Sequence, residues 1–180
     1  MSKTVANDAA MSRIRVRFDL LDTDGNGVLG ESDFRSLADR IITGLAEPAG
    51  SPRAQAVLAS HLGYWQGLLA HADANNDGVV SFEEYADSVR DPEAYASYLR
   101  PYAESVAAIC DRDGDGMVDR AEYLNYMRLV GFDAEKSAAM FDTLDHTGSG
   151  EISAALWAEV IGRFYTSPAA DPVADLLANA

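Results

Sequence analysis

Basic residues are scarce in this chain. Its 180 residues carry 14 Lys and Arg against 29 Asp and Glu, and only Lys3 and Lys136 are lysines, so the formal net charge is −15. A surface of that sign repels nucleic-acid phosphates and anionic lipid, which argues against nucleic acid and membrane as partners. Cysteine is nearly absent: the single Cys110 leaves no intrachain disulfide. No apolar run approaches the roughly 20 residues of a membrane span. The opening "MSKTVANDAAMSRIRVRFDL" holds no apolar stretch of signal-peptide length, and Ser2 stands where myristoylation needs glycine. These absences lead to the expectation of a soluble, cytoplasmic protein. No nucleophile–base constellation stands out either, so the expectation is that the chain is not an enzyme.

What is present is an ordinary apolar content, 48%, and an unusual arrangement of acids. The length allows one compact domain or two small lobes. The acids cluster at four places: "DTDGNGVLGESD" at 22–33, "DANNDGVVSFEE" at 73–84, "DRDGDGMVDRAE" at 111–122 and "DHTGSGEISAAL" at 145–156. The first three fit the twelve-residue EF-hand calcium loop, with ligands from positions 1, 3, 5, 7, 9 and 12 and glycine at position 6. Calcium is a hard cation that takes about six to eight oxygens. Short carboxylates and amides at positions 1, 3 and 5 reach inward from a curled backbone, and position 7 contributes only its carbonyl. The candidate ligands are Asp22, Asp24, Asn26, Val28 and Asp33 in loop 1, and Asp73, Asn75, Asp77, Val79 and Glu84 in loop 2. Loop 3 offers Asp111, Asp113, Asp115, Met117 and Glu122, with Asp119 at position 9. Ser81 and Glu84 have capping-box spacing, so the residues that close a site also start its exiting helix.

Two loops depart from the pattern. Asp33 is one methylene shorter than the usual closing glutamate, which suits the smaller magnesium ion and lowers calcium affinity or selectivity in loop 1. Loop 4 ends in Leu156 and has no closing carboxylate, so Asp145, Thr147 and Ser149 hold at most a weak ion. The expectation is three calcium sites, with magnesium competing at 22–33.

Apolar residues recur at helical spacing on both sides of each loop, for example Ile14, Phe18 and Leu21 before loop 1 and Trp157, Val160 and Phe164 after loop 4. The chain thus resembles the four-EF-hand proteins, and among them the sarcoplasmic calcium-binding protein and calerythrin family. That resemblance implies an all-α fold of two packed EF-hand pairs, 1–90 and 91–180. It also implies short antiparallel bridges between loops, formed by the eighth positions Leu29, Val80, Val118 and Ile152. Loop 4 then keeps its frame because loop 3 needs a partner.

Loop starts lie 51, 38 and 34 residues apart, at 22, 73, 111 and 145. The long first interval contains Gly44, Pro48 and Gly50, which end one helix, and Ser51-Pro52, which cap another. Asp91-Pro92 repeats the cap, and Pro101 is expected to interrupt the helix beyond it, so no long straight interlobe helix forms. The tail segment 168–180 carries a further cap, Asp171-Pro172, and an apolar stripe of Val173, Leu176 and Leu177 expected to dock over a cleft.

Three roles are compatible with such a chain. A calcium buffer or carrier is favoured, because sensors expose Met-rich grooves and only Met11, Met127 and Met140 are available in helices here. A calcium sensor that captures target helices is the main alternative, and no protein target can be named. A photoprotein-like luciferin binder is disfavoured, because His61, His71 and His146 form no assignable cluster. A monomer is expected.

Overall fold

The structure is a computed structural model that describes residues 2–167 and 171–177, with side chains from Ala10 onward. Nine α-helices run in chain order among the described residues: α1 (Ser2–Leu21), α2 (Glu31–Gly44), α3 (Pro52–Ala72), α4 (Phe82–Ser88), α5 (Pro92–Ala94), α6 (Arg100–Cys110), α7 (Arg120–Val130), α8 (Ala134–Leu144) and α9 (Ala154–Thr166). A π-helical segment, Tyr95–Leu99, joins α5 to α6, and a 3₁₀ turn covers Ala174–Leu177. No helix among the described residues is long and apolar enough to cross a membrane.

The helices begin where the chain offers side-chain acceptors. Ser51 accepts the Ala54 N–H at 3.1 Å with Pro52 opening α3, and Asp91 accepts the Glu93 N–H at 2.9 Å with Pro92 opening α5. Ser81 and Glu84 satisfy each other's backbone N–H at the start of α4. Asp119, Asp133 and Ser153 cap α7, α8 and α9 in the same manner. These bonds replace partners that the first turn of a helix lacks.

Pro101 does not interrupt the helix as expected. The chain stays helical from Pro92 to Cys110, and the π-helical segment lies immediately before α6. Proline has no N–H to donate and its ring collides with the carbonyl four residues back. The wider π turn absorbs both problems by shifting the helix register by one residue. The break in the helical run falls earlier, between Ser88 and Pro92, so no long straight helix forms there.

The loops pair as the resemblance implied. Leu29 and Val80 exchange two backbone hydrogen bonds, at 2.8 and 2.9 Å. Strands β1 (Met117–Asp119) and β2 (Glu151–Ser153) run antiparallel with Val118 opposite Ile152. All four apolar residues are buried.

Around these bridges the helices close a shared core. Phe18 meets Phe82 and Tyr85 at ring distances of 5.4 and 5.6 Å, and Tyr123 meets Trp157 at 4.8 Å. Helix α6 lies against both α3 and α9, and the buried residues from Ile14 to Leu177 form one continuous core. Each large apolar side chain so buried stabilises the fold by about 1.5–3 kcal/mol.

The tail docks on this body. Asp171 accepts from Arg163 at 2.7 and 3.0 Å and from the Val173 and Ala174 N–H groups, and Asp175 pairs with the buried Arg13 of α1. Leu177 is buried, and Val173 and Leu176 pack half-buried against the core. The remaining tail positions, 168–170 and 178–180, lie outside the described residues.

Candidate metal centres

All four loops share one backbone device. The position-6 N–H donates to the position-1 carboxylate: Gly27 to Asp22 at 2.9 Å, Gly78 to Asp73 at 3.0 Å, Gly116 to Asp111 at 2.9 Å and Gly150 to Asp145 at 2.7 Å. These glycines have φ between 82° and 87°, the left-handed region that side chains resist, and a Cβ at any of them would meet nothing within 4 Å. Glycine is therefore required there by conformation and not by crowding. Loop 2 uses Asn76, φ 57°, at position 4 where the other three loops have glycine.

A second set of bonds orients position 5. Its side-chain oxygen accepts the position-7 N–H: Asn26 from Val28 at 2.9 Å, Asp77 from Val79 at 3.0 Å and Asp115 from Met117 at 2.8 Å. The backbone thus curls so that the acidic side chains face a common centre.

The structure brings Asp22, Asp24 and Asp33 together in loop 1, and Asp111, Asp113 and Asp115 in loop 3, with one oxygen from each lying within 4.8 Å of the others. At such range two like charges repel by about 1 kcal/mol even at the dielectric of water. The donors are all hard oxygens, the chemistry calcium and magnesium require. Loop 2 has two acids and an amide in this position, and Asn75 Nδ2 donates to Asp77 at 2.8 Å.

Position 12 differs from loop to loop. Asp33 is buried. Its Oδ1 accepts the Thr23 N–H at 2.9 Å and the Thr23 hydroxyl at 3.0 Å, and its Oδ2 accepts the Gly30 N–H at 2.9 Å. Glu84 is held similarly, by the Ala74 N–H at 3.3 Å and by the Ser81 N–H and hydroxyl at 2.9 Å each. The Ser81 bonds, backbone first, hold the Glu84 carboxyl below its ordinary pKa. Glu122 stands outside the group of three acids in loop 3, with Arg112 at 3.9 Å. Partial burial, and next the charge of Asp119, raise its pKa. A hollow of about 300 Å³ lies here, lined by Asp113, Asp115, Glu122 and also Glu151.

Sequence reasoning missed three residues at these sites: Thr23 and Arg112 at position 2, and Glu151. The signal for Glu151 was the loop pairing, since β1–β2 register sets it opposite Asp119.

Loop 4 keeps the frame without the closure. Asp145 accepts from Gly150, Ser149 and Thr147, bonds that, with Gly150 foremost, hold its carboxyl below the ordinary range. Leu156 is half-buried and packs on the core instead of facing the loop.

This geometry defines an EF-hand calcium-binding protein, and comparison with known proteins agrees. The model of the EF-hand domain pair matches residues 11–90. Calerythrin of Saccharopolyspora erythraea is 27% identical over 159 residues, covering 85% of this chain and 88% of that one. A calcium-binding protein of Streptomyces coelicolor, whose structure is described as a basis for calcium-mediated regulation, superposes with a TM-score of 0.75 at 30% identity, covering 89% of this chain and 99% of that one. The sarcoplasmic calcium-binding protein of amphioxus gives a TM-score of 0.73 at 25% identity, covering 97% and 99%. Photoproteins share the fold at 17–23% identity, a likeness of fold alone. The chain belongs to the EF-hand calcium-binding proteins, and within them it resembles the sarcoplasmic calcium-binding proteins and calerythrin.

Proposed function

We propose that this protein is a monomeric cytoplasmic calcium buffer or carrier, not an enzyme, that holds three ions in loops 22–33, 73–84 and 111–122. In this reading Asp22, Asp24, Asn26, Asp33 and the Val28 carbonyl serve loop 1. Asp73, Asn75, Asp77, Glu84 and the Val79 carbonyl serve loop 2, and Asp111, Asp113, Asp115, Glu122 and the Met117 carbonyl serve loop 3. Residues 1–90 and 91–180 act as two EF-hand pairs, and loop 145–156 is the structural partner of loop 3. Magnesium competes at loop 1. Three ions take the formal charge from −15 to −9, so ion binding and folding are coupled.

The observation that carries the buffer role is the docked tail. A sensor needs an apolar groove that calcium opens to a target helix. Here Leu177 is buried against the C-terminal half and Asp175 is tied to Arg13, so the chain covers that face with its own segment. The sensor is the second reading, favoured by the regulatory role stated for the Streptomyces relative. A photoprotein-like cavity finds no support in the histidines. His61 is buried against Val57, His71 is exposed and bonded to its own helix, and His146 lies in loop 4.

The discriminating experiment is hydrophobic-dye fluorescence of the intact chain with and without calcium. The buffer reading expects no rise. A large rise, reversed by an amphipathic target peptide, would establish the sensor instead.

A further inference from the structure

Loops 3 and 4 face each other across the β1–β2 bridge, and the pairing sets Asp119 directly opposite Glu151. The Arg120 N–H donates to the Gly150 carbonyl at 3.0 Å on the flank of this pair. Asp119 and Glu151 are therefore a non-hydrogen-bonded pair, the type in which cross-strand side chains come closest. Val118 and Ile152 are buried, so the alternation of a strand turns their neighbours outward, and both acids are exposed. Like charges directly opposite destabilise an antiparallel pair. The adjacent arginines are engaged elsewhere: Arg120 pairs with Asp142 at 3.2 Å, and Arg112 stands 3.9 Å from Glu122. Among the described residues no ion pair includes Asp119 or Glu151.

The other bridge has no such feature. There Leu29 pairs with Val80, so the flanking positions are Val28, Gly30, Val79 and Ser81, none of them charged. Ion binding by loop 4 does not account for the glutamate either. Position 7 of a calcium loop supplies only its carbonyl, and loop 4 lacks a closing carboxylate. The Glu151 side chain instead lines the hollow of loop 3, together with Asp113, Asp115, Asp119 and Glu122.

We propose that Glu151 of loop 4 is an affinity-determining residue of loop 3. It adds a negative charge to the surroundings of the loop 3 ion through space, without ligating it. Without the ion, Glu151 and Asp119 repel across the bridge; a divalent cation in loop 3 offsets that repulsion. Loop 4 thus contributes charge to its partner as well as a strand. This inference rests on the reading of loop 3 as a calcium site.

The test is Glu151→Gln in the full chain, which removes the charge and keeps the shape at an exposed position. Two measurements are made: calorimetric calcium titration at low and high salt, and a urea melt of the metal-free chain. Calcium affinity at loop 3 is expected to fall about fivefold at low salt, and the loss to shrink below about twofold in about 1 M KCl. The metal-free variant is expected to melt at higher urea than the parent, because the cross-strand repulsion is gone. A merely structural role for Glu151 would lower both quantities, and that result would overturn the proposal. So would an unchanged affinity, or a loss that salt does not diminish, which would make Glu151 a ligand. Asp111→Ala separates the two levels of the argument. If it loses one ion while Glu151→Gln titrates like the parent, only this inference falls; if Asp111→Ala itself titrates like the parent, the reading of loop 3 falls with it.

Discussion

Thr23 grips Asp33 twice. Its N–H and its hydroxyl both donate to the same carboxylate oxygen, at 2.9 and 3.0 Å, while Gly30 holds the other oxygen at 2.9 Å. The shorter side chain is thereby drawn against the loop wall, and a closing ligand held this way favours one-oxygen contact. Asp33→Glu restores the missing methylene. It is expected to raise calcium affinity in loop 1 by about tenfold, about 1.4 kcal/mol, with a smaller change for magnesium. Calcium titrations with and without magnesium check this, and an unchanged preference would refute the account of Asp33.

Loop 3 presents the opposite case. Glu122 is kept from the acid cluster and faces Arg112. Glu122→Gln removes a charge and the two-oxygen closure proposed for this residue, and a loss of about tenfold or more in calcium affinity at this loop is expected. Arg112 is well exposed, so Arg112→Ala is expected to shift affinity only slightly and upward. Titration of the two variants side by side separates ligand from neighbour.

The tail makes a prediction about exposed surface. Removing residues 171–180 deletes Asp175, one partner of Arg13, and uncovers the cavity that Leu177 helps to line. Dye binding to the calcium form is expected to increase and thermal stability to fall. Asp175→Asn removes one charged partner of the buried Arg13 and leaves its bonds to the Phe164 and Ser167 carbonyls, so it alone is expected to reproduce part of the loss in a urea melt.

His61 sets a pH limit on the fold. Burial holds its imidazole down at about 4, against about 6.5 in an unfolded chain. The unfolded chain therefore takes up this proton first. The His61 contribution is fully present above about pH 6.5 and is lost as pH falls toward 4; at pH 5 the loss is about 2 kcal/mol. His61→Leu is expected to show a smaller drop in stability between pH 7 and pH 5 than the parent, by about that amount. Equal drops in urea melts at the two pH values would mean that His61 is not buried as described.

Much of this was legible in the residues, for identifiable reasons. The glycine at position 6 and the apolar residue at position 8 are demanded by backbone geometry, so the loops could be read directly, whereas their pairing through Leu29–Val80 and Val118–Ile152 was implied by the family resemblance. Caps such as Ser51-Pro52 and Asp91-Pro92 are local chemistry and were equally visible. Pro101 misled, because a proline marks stress on a helix without saying whether the chain breaks or takes a π turn. The Thr23–Asp33 grip, the Arg112–Glu122 approach and the burial of Arg17 depend on where side chains meet across the fold. Arg17 in particular looks like an ordinary surface residue of an amphipathic helix until the tyrosines of α6 and α9 are seen around it.

The central claim is that three loops hold calcium while the fourth serves as a structural partner. Calorimetric titration of calcium into the metal-free chain measures it most directly. The account predicts saturation at three ions per chain, and an unchanged count in Asp145→Ala. Saturation at four ions, or loss of one ion in Asp145→Ala, would contradict it.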